Sequence, residues 1–505
     1  MQQTHCKAFD RALAIGAPIA GLLIFIDLIQ AVLRSVATWE WNDVRMARGI
    51  ALRYGYPLYP GRDAAVPIIG TMHGPVPHLL YSCLVFLKNP TQLLIAGCVL
   101  SSVLYFGAVL WLHLRTRSKI AGVYGFLACT ALVLASPGAS YAAVSVHVDA
   151  CAMCCAMLAA GLLVRREPLR SSTLAASAVL AMLAVASKQT MAPVAIALPC
   201  FVLLADGKRA FARYLAWQVG AAATIFAAML AVFRPPRDLL FNTFTLSIQQ
   251  PRTASITARI LVGLYQLRLD LAAAVAPLVL LIAVFAWAPG NIRQKIVKHP
   301  WLVFLLLAAI QLPIELRAWS TDGGDQNHLG VVTLFVALAA TRGLVDLWNS
   351  EPPMARDWAG VAARALLLGI FVAKTPLPFE IRRDIQLVGT NSTQTAYNYE
   401  RQHPGRAYFP INPLAALLAE GKLTHLDPAL FDRELAGFPI SREQFAAGLP
   451  TKFELVAYPK GRGPKAEILR DLLQGTLLVD EPGLEGWRVY RVKPSATQLT
   501  SASQP

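Results

Sequence analysis

Two carboxylates three residues apart, Glu40 and Asp43, stand directly after the first long apolar run and among two tryptophans, Trp39 and Trp41. On a helix this spacing puts both acids on one face, and the tryptophans suit a segment lying at a membrane interface. Acids delivered to the water face of a membrane bundle could take a proton from a hydroxyl nucleophile. Asp43 is the expected general base, with Glu40 beside it on the substrate side; the plain alternative for both is a solvated helix face. Arg45, two residues on, points elsewhere on such a helix, so Asp43 need not be tied up in a local ion pair and Arg45 is free to meet substrate.

Other polar residues interrupt apolar surroundings. His147-Val148-Asp149 could bind sugar hydroxyls or a metal ion, or Asp149 could simply cap a helix. Lys188, in a very short turn between two apolar runs, could hold a phosphate or snorkel to the headgroups. Residues 72–78 form a rigid, proline-rich turn carrying His73 and His78, suited to a substrate loop or to a helix start. Arg317, and then the polar stretch 323–328 with Asn327, could line a donor pocket or form a flexible turn. Asp27 lies inside the first apolar run, where a charge is costly and commonly functional, yet near enough to its outer end to reach interfacial water. Cys151 and Cys154 beside His147 invite a zinc reading, but small, soft residues in a membrane helix more often pack. No metal ligand set is assigned and no cofactor is expected, although a divalent ion is compatible with these residues.

The elements that must position these groups follow from composition. The 505 residues are 55% hydrophobic and only 15% charged, with a mean hydropathy of +0.48. A soluble domain carries about a quarter charged residues, so the chain reads as a polytopic membrane protein. Its net charge of +16 sits in short basic clusters between apolar runs, as cytoplasmic loops require, which argues against a nucleic-acid partner. All 8 cysteines precede the polar C-terminal part, and no disulfide framework is implied. The first apolar run is long enough to stay as a span, so it is not expected to be a cleaved signal.

Apolar runs at 13–33, 91–114, 120–135, 150–164, 173–186, 191–204, 214–233, 271–287, 301–314, 329–347 and 361–372 give about eleven spans. Residues 75–87 are shorter and interrupted, like a re-entrant or interfacial helix. Basic residues gather in connections of one parity: Arg115, Arg117 and Lys119; Arg165, Arg166 and Arg170; Lys208, Arg209 and Arg213; Arg293, Lys295 and Lys298; Arg342 and Arg356. They share a side with Lys7 and Arg11, which puts the N-terminus in the cytoplasm. The loops 34–90, 136–149, 234–270 and 315–328, and everything after residue 373, then lie outside. Arg252, Arg259 and Arg268 are exceptions, tolerated because charge bias is weak in longer loops.

From residue 374 the composition becomes that of a soluble domain. Strands are expected at 407–411, 453–458, 476–479 and 487–492, with a helix over 465–473. Asn412-Pro413 opens another helix and Gly421 closes it. The expected fold is therefore mostly α: a transmembrane helix bundle over 1–373 with a large outer loop 34–90, then a small extracytoplasmic α/β domain over 374–494. Residues 495–505 are expected to be disordered.

An acid shortly after the first span, in a large outer loop, resembles the GT-C superfamily of membrane glycosyltransferases. The continuation Ala47-Arg48-Gly49-Ile50, Tyr54-Gly55-Tyr56-Pro57-Leu58-Tyr59-Pro60 and then His73-Gly74-Pro75 is similar to its pattern of acid, helix, glycine- and proline-bearing turn and proline-rich helix start. The Asp149 loop, the Lys188 break and the Asn327 loop fall where that family has outer-face substrate residues. The likeness is greatest to the protein-mannosyltransferase and aminoarabinose-transferase branch and covers roughly residues 10–345. The chain departs by having Asn42-Asp43 where two adjacent acids are common, and the C-terminal domain has no counterpart in this resemblance.

The resemblance implies a sugar donor on a polyprenyl phosphate, an inverting transfer to a lipid, glycan or protein acceptor, and residence in the inner (plasma) membrane. It implies catalysis by Asp43 and substrate contacts from Glu40, Arg45, His73, His147, Asp149, Lys188, Arg317 and Asn327. The residues fit independently: a hydroxyl nucleophile needs a base, a departing phosphate needs a fixed cation, and a lipid tail needs a groove in the bilayer. A transporter or lipid flippase is the competing class. It would be expected to show charges deep in several spans and paired repeats, of which only Asp27 is visible.

Overall fold

The computed structural model describes residues 2–164, 170–252, 255–322, 324, 326–349, 357–375, 381–450 and 453–492, and for residues 2–7, 357 and 381 the backbone alone. Arg165, Arg166, Gly323, Asp325, Arg356 and the expected disordered tail lie outside the described residues.

Each expected span is a helix. In chain order these are α1 (Gln2–Thr38), α4 (Pro90–Leu114), α5 (Lys119–Leu134), α7 (Val148–Leu163), α8 (Ser171–Ser187), α9 (Val194–Asp206), α10 (Lys208–Val232), α13 (Ile256–Trp287), α15 (Leu302–Trp319), α16 (Asn327–Trp348) and α17 (Asp357–Lys374). Seven of the described helices are long and apolar enough to cross a membrane, or eight if the bent α5 pair counts as one span. The protein is thus a multi-pass membrane protein. Its periphery has the surface that lipid would solvate: Ile15, Ile19, Leu22 and Phe25 project from α1, and Val275, Val279 and Ile282 from α13, all exposed. Such rows would be an aggregation hazard in water and are ordinary against acyl chains. At the centre lies α16, the most enclosed of the candidate spans, with 94% of its apolar window buried.

Short helices fill the connections between the long ones. α2 (Trp41–Arg53) follows α1 after a two-residue break, and α3 (Val76–Ser82) forms the interrupted segment expected at 75–87. α6 (Pro137–Val144) turns back at 106° from α5, with Pro137 in the first turn, where its missing N–H costs nothing. α11 (Pro236–Leu240) and α12 (Leu246–Gln249) flank one π-helical turn at Phe241–Thr245, and α14 (Ile292–Lys298) sits between α13 and α15. The long outer loop expected at 234–270 is shorter than its sequence suggests. Arg259 and Arg268 belong to α13, and the Arg259 guanidinium lies 4.8 Å over the Trp319 ring and donates to Gly324 O at 3.0 Å. Both residues are therefore on a helix that carries them past the loop, which is why they broke the charge rule.

Residues 381–492 form the α/β domain. Helices α18 (Ile381–Gly389), α19 (Ser392–Gln402), α20 (Pro413–Glu420), α21 (Asp427–Leu435), α22 (Arg442–Ala447) and α23 (Glu467–Leu473) surround a four-stranded sheet. Strands β1 (Ala407–Tyr408), β2 (Leu455–Tyr458), β3 (Leu477–Val479) and β4 (Arg488–Arg491) take the order β1-β2-β4-β3; β1 runs parallel to β2 and the other pairs are antiparallel. Gly421 ends α20 in the left-handed conformation at φ 71°, as its sequence promised. The domain's core is not wholly its own: Ala396, Tyr399, Phe409, Leu455 and Val489 form a cluster within it, but a second cluster is shared. Val44 of α2 and Ile68 of the outer loop pack in one cluster with Tyr408, Leu430, Phe453 and Val456, so the membrane module and the sheet share buried surface.

Candidate active site

Asp43 of α2 and Glu40, the residue just before that helix, point toward the C-terminal domain. Asp43 is fully buried, its Oδ1 accepting the Leu414 N–H at 2.9 Å and its Oδ2 the Asn412 side-chain amide at 3.3 Å. It thereby caps α20, whose own N-cap, Asn412, makes no side-chain cap bond. Burial pushes the Asp43 carboxyl up to about 7, against the lowering effect of these donors. Glu40 accepts two hydrogen bonds from the Arg462 guanidinium, at 3.1 and 2.7 Å. The water-facing position expected for this pair is therefore corrected: the face they share is an interdomain contact.

The opposite side of the same turns faces the bundle. Asn42 is buried, its Oδ1 accepting the Val146 N–H at 2.8 Å while its amide donates to the carbonyl and hydroxyl of Ser35, each at 2.9 Å. Arg45 donates to the Tyr141 hydroxyl at 2.9 Å and to Val146 O at 3.3 Å, with its guanidinium stacked over the Trp41 and Tyr141 rings. Arg48, which sequence reasoning passed over, is buried and donates to Ile69 O at 2.9 Å. These bonds fix the α6–α7 turn and the loop before α3.

What they position is a charged centre at the start of α7. His147 is the helix N-cap, its Nδ1 accepting the Asp149 N–H at 3.1 Å, so the capping role falls to the imidazole and not to the aspartate. Asp149 is fully buried: Lys188 Nζ lies 2.8 Å from its Oδ1 and the Asn327 amide donates to its Oδ2 at 3.2 Å. Lys188 is 1% exposed and does not snorkel, because α8 ends at Ser187 and the following 3-10 turn, Gln189–Met191, turns it inward. Asn327 is brought to Asp149 by the crossing of α6 and α16, where a Cβ on Gly330 would lie 2.6 Å from the Gly138 carbonyl carbon; only glycine allows so close an approach.

His73 joins this centre from the outer loop. A Cβ on Gly74 would lie 1.7 Å from Ala186 O, so the loop lies flat on the end of α8, two residues from Lys188. The Tyr59 hydroxyl donates to His73 O at 2.9 Å. Burial and the nearby Lys188 charge hold the His73 imidazole well below its ordinary value, leaving a neutral ring able to bind a hydroxyl. Tyr59 also lines a cleft of about 340 Å³ between α2, α3, the C-terminal end of α10 and α11, with Phe233 and Leu79 as apolar wall and Arg53 and Arg234 at its polar side.

A second buried acid lies on α15. Glu315 is fully buried, pairs through Oε2 with His328 Nδ1 at 3.2 Å, and accepts the Gln311 amide at Oε1. That same amide donates to Thr190 O at 2.6 Å. Thr190 Oγ1 and Gln311 Oε1 are buried without a hydrogen-bond partner among the described residues, an arrangement that costs stability unless a ligand or water meets them. Arg317 lies on the exposed face of the last turn of α15, outside this cluster. Asp27 stays half-buried on α1. No group of three or more His, Cys, Asp or Glu side chains converges as a metal site among the described residues. Glu315 had one legible signal, an acid ending an apolar run; Asn42 and Arg48 had none beyond their place on α2.

No protein-family profile matches the sequence, and no curated protein matches it. Solved structures do. ArnT from Cupriavidus metallidurans bound to undecaprenyl phosphate superposes with a TM-score of 0.56 at 12% identity, covering 96% of this chain and 98% of that one. The same protein in the apo state gives 0.51 at 11% identity, covering 97% and 99%. The archaeal oligosaccharyltransferase AglB from Archaeoglobus fulgidus, in complex with an inhibitory peptide and a dolichol-phosphate, gives 0.42 at 12% identity over 87% of this chain and 69% of that one. The chain has the fold of ArnT, a membrane glycosyltransferase of the GT-C type.

Proposed function

We propose that this protein is a membrane glycosyltransferase that moves a sugar from a polyprenyl-phosphate donor to an acceptor at the outer face of the plasma membrane, by single displacement with inversion. The observation that carries the reading is the buried Asp149–Lys188 pair, ringed by His73, His147 and Asn327 at one end of an ArnT-like bundle.

The chemistry follows from charge. When the bond from the anomeric carbon to the lipid phosphate breaks, negative charge grows on the departing oxygen, and a fixed cation in a site shielded from water stabilises it. Lys188 is that cation, held at a set place by Asp149, and its ammonium can turn from carboxylate to phosphate without leaving the site. Neutral His73 and the Asn327 amide are suited to sugar hydroxyls. The cleft beside Tyr59 supports entry of a lipid: arginines at its polar side suit a phosphate, and Phe233 and Leu79 suit a prenyl chain. Asp43, with both carboxylate oxygens occupied by the C-terminal domain, is assigned to docking that domain.

The test uses the full chain in lipid nanodiscs with a panel of radiolabelled undecaprenyl-phosphate sugars and membrane lipid extract as acceptor. The expected result is label leaving one donor for an acceptor, with undecaprenyl phosphate raising the unfolding temperature. Label that crosses the bilayer with its donor bond intact would instead identify a flippase.

A further inference from the structure

The transfer just proposed needs a proton acceptor if its nucleophile is a hydroxyl, and α2 presents none to the bundle: Asn42 is a carboxamide and Asp43 faces the other way. Resting on that reading, we propose that His328, oriented by the buried Glu315 carboxylate, is the general base, and that the acceptor is accordingly a neutral hydroxyl and not a phosphate or carboxylate, which would carry no proton to remove.

The geometry is that of an acid–imidazole dyad. Glu315 Oε2 lies 3.2 Å from His328 Nδ1; the carboxylate can only accept, so Nδ1 carries the proton and Nε2 keeps its lone pair. The carboxylate is fully buried while the His328 side chain is 17% exposed, so the dyad is anchored at one end and open at the other. Nε2 has no hydrogen-bond partner among the described residues. Glu315 is itself held by the Gln311 amide, which leaves it no freedom to swing away. His328 follows Asn327, whose side chain binds Asp149, and Gln311 reaches the backbone of Thr190, two residues past Lys188. Base and phosphate cation are thus linked twice, through Asn327–Asp149 and through Glu315–Gln311–Thr190, and the buried, unpartnered Thr190 Oγ1 and Gln311 Oε1 lie in the second of these links.

The step balances. The acceptor oxygen forms its bond to the anomeric carbon as the carbon–oxygen bond to the lipid phosphate breaks and its electron pair leaves on phosphate. The hydroxyl proton passes to His328 Nε2, the imidazolium is stabilised by Glu315, and the proton is later lost to water. His328 is the catalytic residue; Glu315 acts through it as a positioning residue.

The experiment compares the parent, His328→Gln and Glu315→Gln as full chains in nanodiscs, with the labelled undecaprenyl-phosphate sugar that the parent uses. His328→Gln should lower kcat by about 10²–10⁴-fold, with donor KM and the stabilisation by undecaprenyl phosphate unchanged. Glu315→Gln should lower kcat at least about tenfold by favouring the wrong tautomer. Azide, a nucleophile with no proton to lose, should restore turnover in His328→Gln by forming the glycosyl azide, and should not do so in Lys188→Ala. Transfer by His328→Gln within about threefold of the parent, or a slow variant that azide cannot rescue, would overturn the assignment while leaving the transferase reading intact. If His328→Gln does not accumulate, a Glu315→Gln chain that is slow and binds undecaprenyl phosphate normally supports the dyad, and one that is fully active overturns it. A parent that neither binds undecaprenyl phosphate nor transfers any sugar would remove both readings.

Discussion

Asp43 Oδ1 accepts the backbone amide of Leu414 at 2.9 Å, across 371 residues of chain. The bond joins the helix after the first span to the first turn of α20, and it is one of the buried polar contacts on which the C-terminal domain seats. Removing the acceptor leaves a buried N–H unpaired, which costs about 1–3 kcal/mol, and removes an N-cap. Asp43→Ala should therefore lower the unfolding midpoint and speed proteolysis near residue 390. Asp43→Asn keeps an oxygen for Leu414 and should retain transfer within about tenfold, whereas loss of a general base costs about a hundredfold or more. A hundredfold loss in Asp43→Asn, with normal stability, would return the base to Asp43.

The same carboxyl gives the docking a pH dependence whose sign is fixed. Burial raises it from 3.8 to about 7, so between those values the folded protein holds a proton that the unfolded chain releases. Its contribution is complete below about pH 4 and declines until about pH 7, by on the order of 4 kcal/mol. Burial and the neighbouring Glu420 carry Glu400 to about 9, and its effect has the same sign over a window that reaches higher. Thermal melts should show the domain held more firmly at pH 6 than at pH 8. Asp43→Asn should flatten the part of the slope below pH 7, and an unchanged slope would assign the effect to other groups.

Lys188 and Asp149 should behave as a unit. Deleting one member of a buried pair strands the other charge and costs about 3–5 kcal/mol. Lys188→Ala should be markedly less stable than the parent, and adding Asp149→Asn should recover most of that loss. Stabilisation by undecaprenyl phosphate should be absent from both variants. Recovery of ligand stabilisation in the double variant would mean that the phosphate meets another cation, with Arg53 and Arg234 the first to examine.

Gly74 and Gly55 make a matched pair. A Cβ at residue 74 meets Ala186 O at 1.7 Å, while one at Gly55 meets nothing within 4 Å and suffers only from its φ of +83°. Gly74→Ala should displace the His73 loop and abolish transfer. Gly55→Ala should cost about 1–2 kcal/mol and leave transfer intact. Equal activity in the two would show that the loop does not need its place on α8.

Topology can be read with reporter fusions. Those at Thr71 and Thr390 should score as outside and those at Lys119 and Lys298 as cytoplasmic, since the basic loops share one parity. A cytoplasmic signal at Thr390 would place the centre around Asp149 and the C-terminal domain in the wrong compartment for the proposed reaction.

The spans, the four strands, α20 and α23 were legible because each is a local pattern, whereas α18, α19, α21 and α22 were not anticipated. Apolar length marks a span, and Asn412-Pro413 with Gly421 marks both ends of the 8-residue α20. Lys188, Asp149, His73 and Asn327 were legible as polar interruptions of apolar runs, and the structure gathers them. What the pattern does not encode is direction. Asp43 and Asn42 are adjacent on one helix, so a rotation of about 100° decides which faces the bundle and which the domain, and that rotation is set by Leu414 and Val146, both more than a hundred residues away. Glu315 was missed for a related reason: its partner His328 follows a loop, and nothing in spacing alone ties the end of α15 to the start of α16.

The outer loop that carries His73 contains little regular structure and borrows its order from the far end of the chain. Ile68 N donates to His425 Nδ1 at 2.9 Å, its carbonyl accepts the Leu426 N–H at 3.0 Å, and Arg433 donates to the carbonyls of Pro60 and Gly61. During synthesis the loop is therefore made early and must wait, unfastened, while some 350 further residues are translated and the later helices insert. A chain that stops short of residue 425 therefore lacks the partners that fasten this loop, although the whole of the loop's own sequence is present.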